Sequence, residues 1–239
     1  MLASTSRHAA AVARLAELSL PGNVRCGLTA AEPVARLPSG LPPLDAVLGG
    51  GVPRGRISEV TGPQTSGKTS LLLALLAAAT RRGEVVAYVD LADALHPASV
   101  AAAGADVQRV LWVRPPSLTD GLRCTELLLH AGGFALVAFD LGALPPRPFR
   151  TRVWPRLLHA AEQSHTALVV LAPQRVADSS AVLSLGVHPR SVQWHRNAWS
   201  LLEGLESVVR VERSKLGTSE AKSVRLKVES QSPAFSFRL

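Results

Sequence analysis

Cysteine, aromatic residues and long apolar runs are all in short supply along these 239 residues, and each shortage closes off a class of protein. Two cysteines, Cys26 and Cys124, stand too far apart for metal-ligand spacing and cannot make a disulfide framework, so both are expected to be reduced, structural thiols. No run of about 18 uncharged apolar residues occurs, so no transmembrane helix is expected. The opening residues Met1 to Arg7 lack a basic stretch followed by a continuous apolar core. A secretory signal is therefore not expected, and cytoplasmic residence is. Lysine is scarce while arginine, alanine, glycine and proline are plentiful. The net charge of +8 favours a polyanionic partner such as nucleic acid or an acidic protein surface. A GC-rich genome produces the same arginine excess, so charge alone carries little of the argument.

The length suits one substantial α/β core with appendages. Residues 1–36 read as an N-terminal arm. Ser4, Thr5 and Ser6 offer N-caps to a helix over residues 4–18 whose Val12, Leu15 and Leu18 fall near one face, and Pro21-Gly22 stops it. Residues 37–230 form the expected core and 231–239 a C-terminal tail.

Within the core, strands and helices alternate in the βαβ manner that produces a parallel sheet. Strands are expected at 57–61, 85–90, 110–113, 135–140 and 166–172, with helices at 68–81, 97–103, 118–130 and 154–164. From Gln174 onward the character changes: 181–185 follows without a glycine-rich loop before it, and 208–211 and 224–228 read as an antiparallel pair. The fold class expected is α/β, a P-loop core with a mostly parallel central sheet flanked by helices and antiparallel strands toward the C-terminus.

Gly62, Pro63, Gln64, Thr65, Ser66, Gly67, Lys68 and Thr69 fit the phosphate-loop pattern, after a strand and at the opening of a helix. The glycines let backbone N–H groups curl around phosphate oxygens, and the helix start adds its positive dipole end. Lys68 would reach the β- and γ-phosphates, and Thr69 would place its hydroxyl on Mg²⁺. Asp140, ending an apolar strand, is either the second metal partner or a strand-end aspartate that starts a turn.

Ser39 to Asp45, Leu48 to Gly51, Gly55-Arg56-Ile57 and the phosphate loop together resemble the opening of the RecA core, and the match runs on through Tyr88-Val89-Asp90, Ala94-Leu95 and Pro97. Among RecA-like proteins the chain is most similar to ImuA, the accessory protein of the bacterial inducible-mutagenesis cassette. The resemblance implies ATP and Mg²⁺ as cofactors. It also implies a glutamate that orients the attacking water, and Ala92 stands in its place. Asp93, one residue on, is directed to the other face of an extended chain. His96 replaces an aspartate that contacts the base, and Ser99 a stacking tyrosine. Weak nucleotide binding and no catalytic residue are therefore expected.

Two DNA-holding loops implied by the resemblance also differ. The first contains Arg147, Arg150, Arg152 and Trp154, which either grip single-stranded DNA or form a proline-stiffened connection. The second is missing. Arg213 and Lys215 resemble a basic pair that reaches a neighbouring subunit's nucleotide, or else they end an exposed strand. Trp194, His195 and Trp199 suit either a protein interface or the core.

The function these features imply is a RecA-like adaptor in SOS-induced translesion mutagenesis. It would link RecA to an ImuB-type polymerase-like partner, with direct single-stranded DNA contact and self-association open. An active DNA-dependent ATPase or recombinase, and a cell-division-inhibitor-like regulator, are the alternatives.

Overall fold

The computed structural model describes residues 34–143, 153–196, 200–216, 222–231 and 234–238. The chain divides into two units, Met1–Val34 and Ala35–Leu239, and the described elements belong to the second. The helix expected over 4–18 lies outside the described residues, as do Cys26, Arg147, Arg150, Arg152 and Trp199.

Eleven strands are present among the described residues, in chain order β1 (Arg36–Leu37), β2 (Val52–Pro53), β3 (Ile57–Thr61), β4 (Val85–Asp90), β5 (Val110–Val113), β6 (Phe134–Asp140), β7 (Ala167–Ala172), β8 (Ala181–Arg196), β9 (Ser200–Ser214), β10 (Ser223–Gln231) and β11 (Ala234–Arg238). The helices are α1 (Pro42–Leu48), α2 (Lys68–Arg81), α3 (Pro97–Ala102), α4 (Leu118–Ala131) and α5 (Val153–Ser164). β1 and β2 form a small antiparallel pair. The other nine make one sheet in the order β11-β10-β9-β8-β3-β7-β6-β4-β5. From β8 to β5 neighbours run parallel, and from β8 to β11 they run antiparallel. This is the expected class, a mostly parallel sheet with an antiparallel extension.

Apolar residues on both faces of the parallel strands explain why helices cover both. Val86, Tyr88, Leu136, Ala138, Val169 and Leu171 point to a cluster with α1 and α2, whose Leu44, Leu48, Leu72, Leu75 and Leu76 are buried. Their sequence neighbours Ala87, Val89, Val137, Phe139, Leu168 and Val170 point the other way, to Leu129 of α4 and Leu157 of α5. α1 begins at Pro42-Pro43, where prolines cost no hydrogen bond, and ends at Gly49 with a φ of 70°. No described helix is long and apolar enough to cross a membrane.

The antiparallel pair expected from 208–211 and 224–228 is present in β9 and β10, with Val209 opposite Val224 and Val208 opposite Arg225. The strands are longer than expected, and β8, for which no strand was expected, runs 16 residues and pairs with the 15 of β9 along nearly its whole length. β8 pairs with β3 only as far as Gly186. Beyond that point β8 continues against β9, which pairs in turn with β10 from Gly204 to Arg210, so β8 to β11 extend as an antiparallel arm. Register shifts between β8 and β9 at Pro189/Ser191 and Gln193/Trp194 absorb the proline and the irregular stretch. Within the segment expected as a tail, residues 234–238 form the edge strand β11 against β10.

A buried carboxylate holds the short β7–β8 connection. Glu59, on β3 and 1% exposed, accepts the backbone N–H groups of Val176 (2.7 Å) and Ala177 (2.6 Å) and the Ser184 hydroxyl (3.2 Å), with Arg175 Nε at 3.7 Å. Arg213 donates to the Asp178 carbonyl at 2.9 Å, and Lys215 donates to the Ser179 carbonyl. Leucine at position 59 would leave two buried N–H groups without acceptors, at about 1–3 kcal/mol each. Glu59→Leu is expected to lower unfolding free energy by about 2–6 kcal/mol in urea titration. A loss below about 1 kcal/mol would mean that the carboxylate does not pin this connection.

Candidate nucleotide site

The carboxyl ends of β3, β4 and β6 meet the β8–β9 arm around a cleft of about 670 Å³. Its floor is the phosphate loop, from Gln64 to Ser70. Its walls are Ala92 and Ala94 after β4, Asp140, Gly142 and Ala143 at the end of β6, and Pro189, Val192 and Leu205 from the arm. Crevices at the carboxyl ends of parallel strands are where open α/β sheets hold ligands.

The loop is shaped by what surrounds it. Gly62 has a φ of 152°, and a Cβ there would collide with the carbonyl oxygen of Val187 on β8, so only glycine lets the loop pass beside that strand. Thr65 takes a positive φ of 62° at the loop's tip. The Ser66 carbonyl accepts the Ser207 hydroxyl of β9 at 2.6 Å, which ties the loop to the arm. Gly67 caps α2, whose first residue is Lys68.

Lys68 is 8% exposed and donates from Nζ to the Gly62 carbonyl at 2.9 Å. Burial lowers its pKa, and the negative charge of Asp140 works against that shift. Asp140, 7% exposed, is held at both oxygens: Oδ2 accepts the Tyr88 hydroxyl at 2.7 Å and Oδ1 the Gly142 N–H at 2.8 Å. Burial, then the carboxylates of Asp140 and Asp90, push the Tyr88 phenol far above its ordinary range, so it stays a donor. Asp90 lies opposite Asp140 in the β4–β6 register. Its Oδ2 accepts from Leu95 N at 2.8 Å and Trp112 Nε1 at 3.2 Å.

One observation fits a bound phosphate: the Ser66 hydroxyl is buried in the loop with no hydrogen-bond partner among the described residues. Lys68 and the loop N–H groups would supply positive charge to such a phosphate, and Thr69 and Asp140 would supply oxygens for a hydrated Mg²⁺.

Beside Asp140 the cleft wall carries no second carboxylate among the described residues. Ala92 faces Gly142, where an added Cβ would stand 2.7 Å from the alanine methyl. Lys68 and Asp140 are the titratable residues lining the cleft among those described. Asp93 is turned away with a φ of 51° and pairs with Arg114 at 3.5 Å. His96 is exposed and lies 3.2 Å from the Ser99 hydroxyl, outside the cleft. Arg213, in β9, and Lys215, just after it, also lie outside the cleft, bonded to the β7–β8 connection.

One expected contact is corrected. Trp154 is 3% exposed within the core cluster beneath α5, so it offers no face on which a base could stack. Trp194 and His195 fall on the β8 arm. No local pattern marks Ser207 or Glu59, and nothing in Tyr88-Val89-Asp90 marks the bond of Tyr88 to Asp140, because the partners lie 141, about 120 and 52 residues away.

Residues 21–148 match the model of the RecA N-terminal domain, which is more than half of the chain. The chain belongs to the RecA family. Protein RecA of Lactobacillus delbrueckii subsp. bulgaricus is 38% identical over 126 residues, 52% of this chain and 38% of that protein. Protein RecA of Streptomyces coelicolor is 36% identical over 152 residues, 61% of this chain and 41% of that one. The RecA-family match thus spans about two fifths of those relatives' length. The crystal structure of the RadB recombinase shares the fold, with a TM-score of 0.65 at 20% identity, covering 85% of this chain and all of that one.

If Lys68 holds phosphate, removing its ammonium would delete a charge-assisted hydrogen bond, a difference of about 1.5–3 kcal/mol, or roughly 10- to 150-fold in affinity. Lys68→Ala is expected to lose that much ADP affinity in calorimetric titration. Unchanged affinity would place the nucleotide elsewhere.

Proposed function

We propose that this chain is a nucleotide-holding adaptor of the ImuA kind, acting in inducible, error-prone DNA repair between RecA and an ImuB-type polymerase-like partner, without exchanging DNA strands itself. The observation that carries this reading is Ala92. The phosphate loop and Asp140 are built to hold Mg-nucleotide, yet a methyl group stands where the family resemblance calls for a water-orienting carboxylate, and Asp93 is paired to Arg114 outside the cleft. General-base assistance is worth about 10²- to 10⁴-fold in rate. A cleft that holds ATP with little turnover suits a protein that assembles others.

The β7–β8 connection supports the same reading. Glu59, Arg213 and Lys215 pin it in place, which leaves no long segment there to wrap single-stranded DNA. In this role the phosphate loop grips the β- and γ-phosphates and Thr69 and Asp140 hold Mg²⁺. The metal would neutralise phosphate charge. Direct contact with single-stranded DNA would fall to Arg147, Arg150 and Arg152.

An active DNA-dependent ATPase is the second reading, favoured by the complete phosphate loop with Lys68 and Asp140 both in position. Steady-state ATPase measured with and without single-stranded DNA is expected to stay at least about 10²-fold below a RecA control. DNA-stimulated turnover at the control's rate, abolished by Lys68→Ala, would establish the second reading instead. The adaptor role is tested by pull-down. The full chain is expected to capture both RecA and the polymerase-like protein, and deletion of residues 1–20, outside the unit that holds the described elements, to lose RecA alone. Failure of the full chain to capture either would sink the adaptor.

A further inference from the structure

We propose that Tyr88 is a positioning residue of the nucleotide cleft, its hydroxyl fixing the Asp140 carboxylate in the orientation that receives hydrated Mg²⁺. This rests on the nucleotide-holding reading above. Tyr88 sits on β4 between Ala87 and Val89, 1% exposed, among aliphatic neighbours that a phenylalanine would suit equally well in size. A buried hydroxyl costs free energy unless it finds a partner. It finds one across the sheet: β4 and β6 pair with Tyr88 opposite Ala138 and Asp90 opposite Asp140, so the phenol runs two residues along the sheet face to reach Asp140 Oδ2 at 2.7 Å.

The Gly142 N–H holds Oδ1 at 2.8 Å, so one donor on each oxygen stops the carboxylate from rotating. Each carboxylate oxygen accepts about two hydrogen bonds, which leaves one acceptor site apiece for water on a metal. Both donors are neutral. An arginine or lysine in place of Tyr88 would orient Asp140 but cancel its charge, whereas the phenol orients it and leaves the charge for a cation. Glycine at 142 takes a φ of 62°, which places its N–H for that bond while leaving room for the Ala92 methyl.

The chain contains one tyrosine, so the full-length protein labelled with 3-fluorotyrosine gives one ¹⁹F resonance. That resonance is expected to shift on addition of ADP with Mg²⁺ and to stay in place on addition of ADP with EDTA. Tyr88→Phe is expected to raise the Mg²⁺ concentration for half-maximal nucleotide retention by about ten- to hundredfold, as loss of an outer partner does at metal sites. The loss should be confined to buffers containing metal, and adding Tyr88→Phe to Asp140→Asn should cause no further loss. Should Tyr88→Phe fail to fold, Asp140→Asn in the labelled protein must move the resonance and abolish its Mg²⁺ response. An unchanged Mg²⁺ midpoint, an equal loss in EDTA, or a resonance indifferent to metal would overturn the role of Tyr88 alone. Absence of nucleotide binding by the unmutated chain would overturn this role and the nucleotide-holding function together.

Discussion

The cleft depends on how closely the backbone of β8 runs past the first glycine of the phosphate loop. β8 leaves β3 at Gly186, and the carbonyl of Val187 then occupies the space where any side chain at position 62 would stand. That approach sets the loop's position and brings the β8–β9 arm over it, so that Pro189, Val192 and Leu205 become a wall of the cleft and Ser207 can bond to the Ser66 carbonyl. On the opposite side of β3, Glu59 gathers the β7–β8 connection and fixes where β8 begins. A buried carboxylate is costly unless its acceptor sites are filled, and here two backbone N–H groups, a hydroxyl and an arginine surround it.

The parts legible in the sequence are those whose cause is local. The phosphate loop is a spacing of glycines, a lysine and a threonine. The parallel strands are short β-branched runs, and the helices between them show their apolar faces. β3, α2, β4 and β5 fall at the residues expected, and β6, α4 and α5 within a residue or so. α1 was not expected, because Pro42-Pro43 reads as a break unless the prolines are seen to occupy a helix's first turn.

What stayed hidden depends on distant partners. Gly186, Pro189 and Gly204 interrupt any alternation, so the long β8–β9 pairing cannot be read from either strand alone. It exists because each strand satisfies the other's hydrogen bonds and register shifts take up the irregularities. Glu59 in Ile57-Ser58-Glu59-Val60-Thr61 reads as an exposed position on a half-buried strand. Only the return of the chain at Val176, Ala177 and Ser184 makes it a buried one. Trp154 erred in the other direction: an aromatic beside arginines suggested a base-stacking surface, and the amphipathic face of α5 turned it into the core.

The cleft has a phosphate loop, Lys68 and Asp140 in place and, among the described residues, Ala92 and Gly142 rather than a second carboxylate on the wall beside them, and the account stands on that combination. The most direct test is the fate of bound nucleotide. ATP with Mg²⁺, held for an hour with the chain in molar excess and recovered by denaturing the mixture, is expected to remain ATP with the unmutated chain, and to be recovered as ADP with Ala92→Glu, where a carboxylate is returned beside Gly142. Recovery of ADP from the unmutated chain would contradict the account.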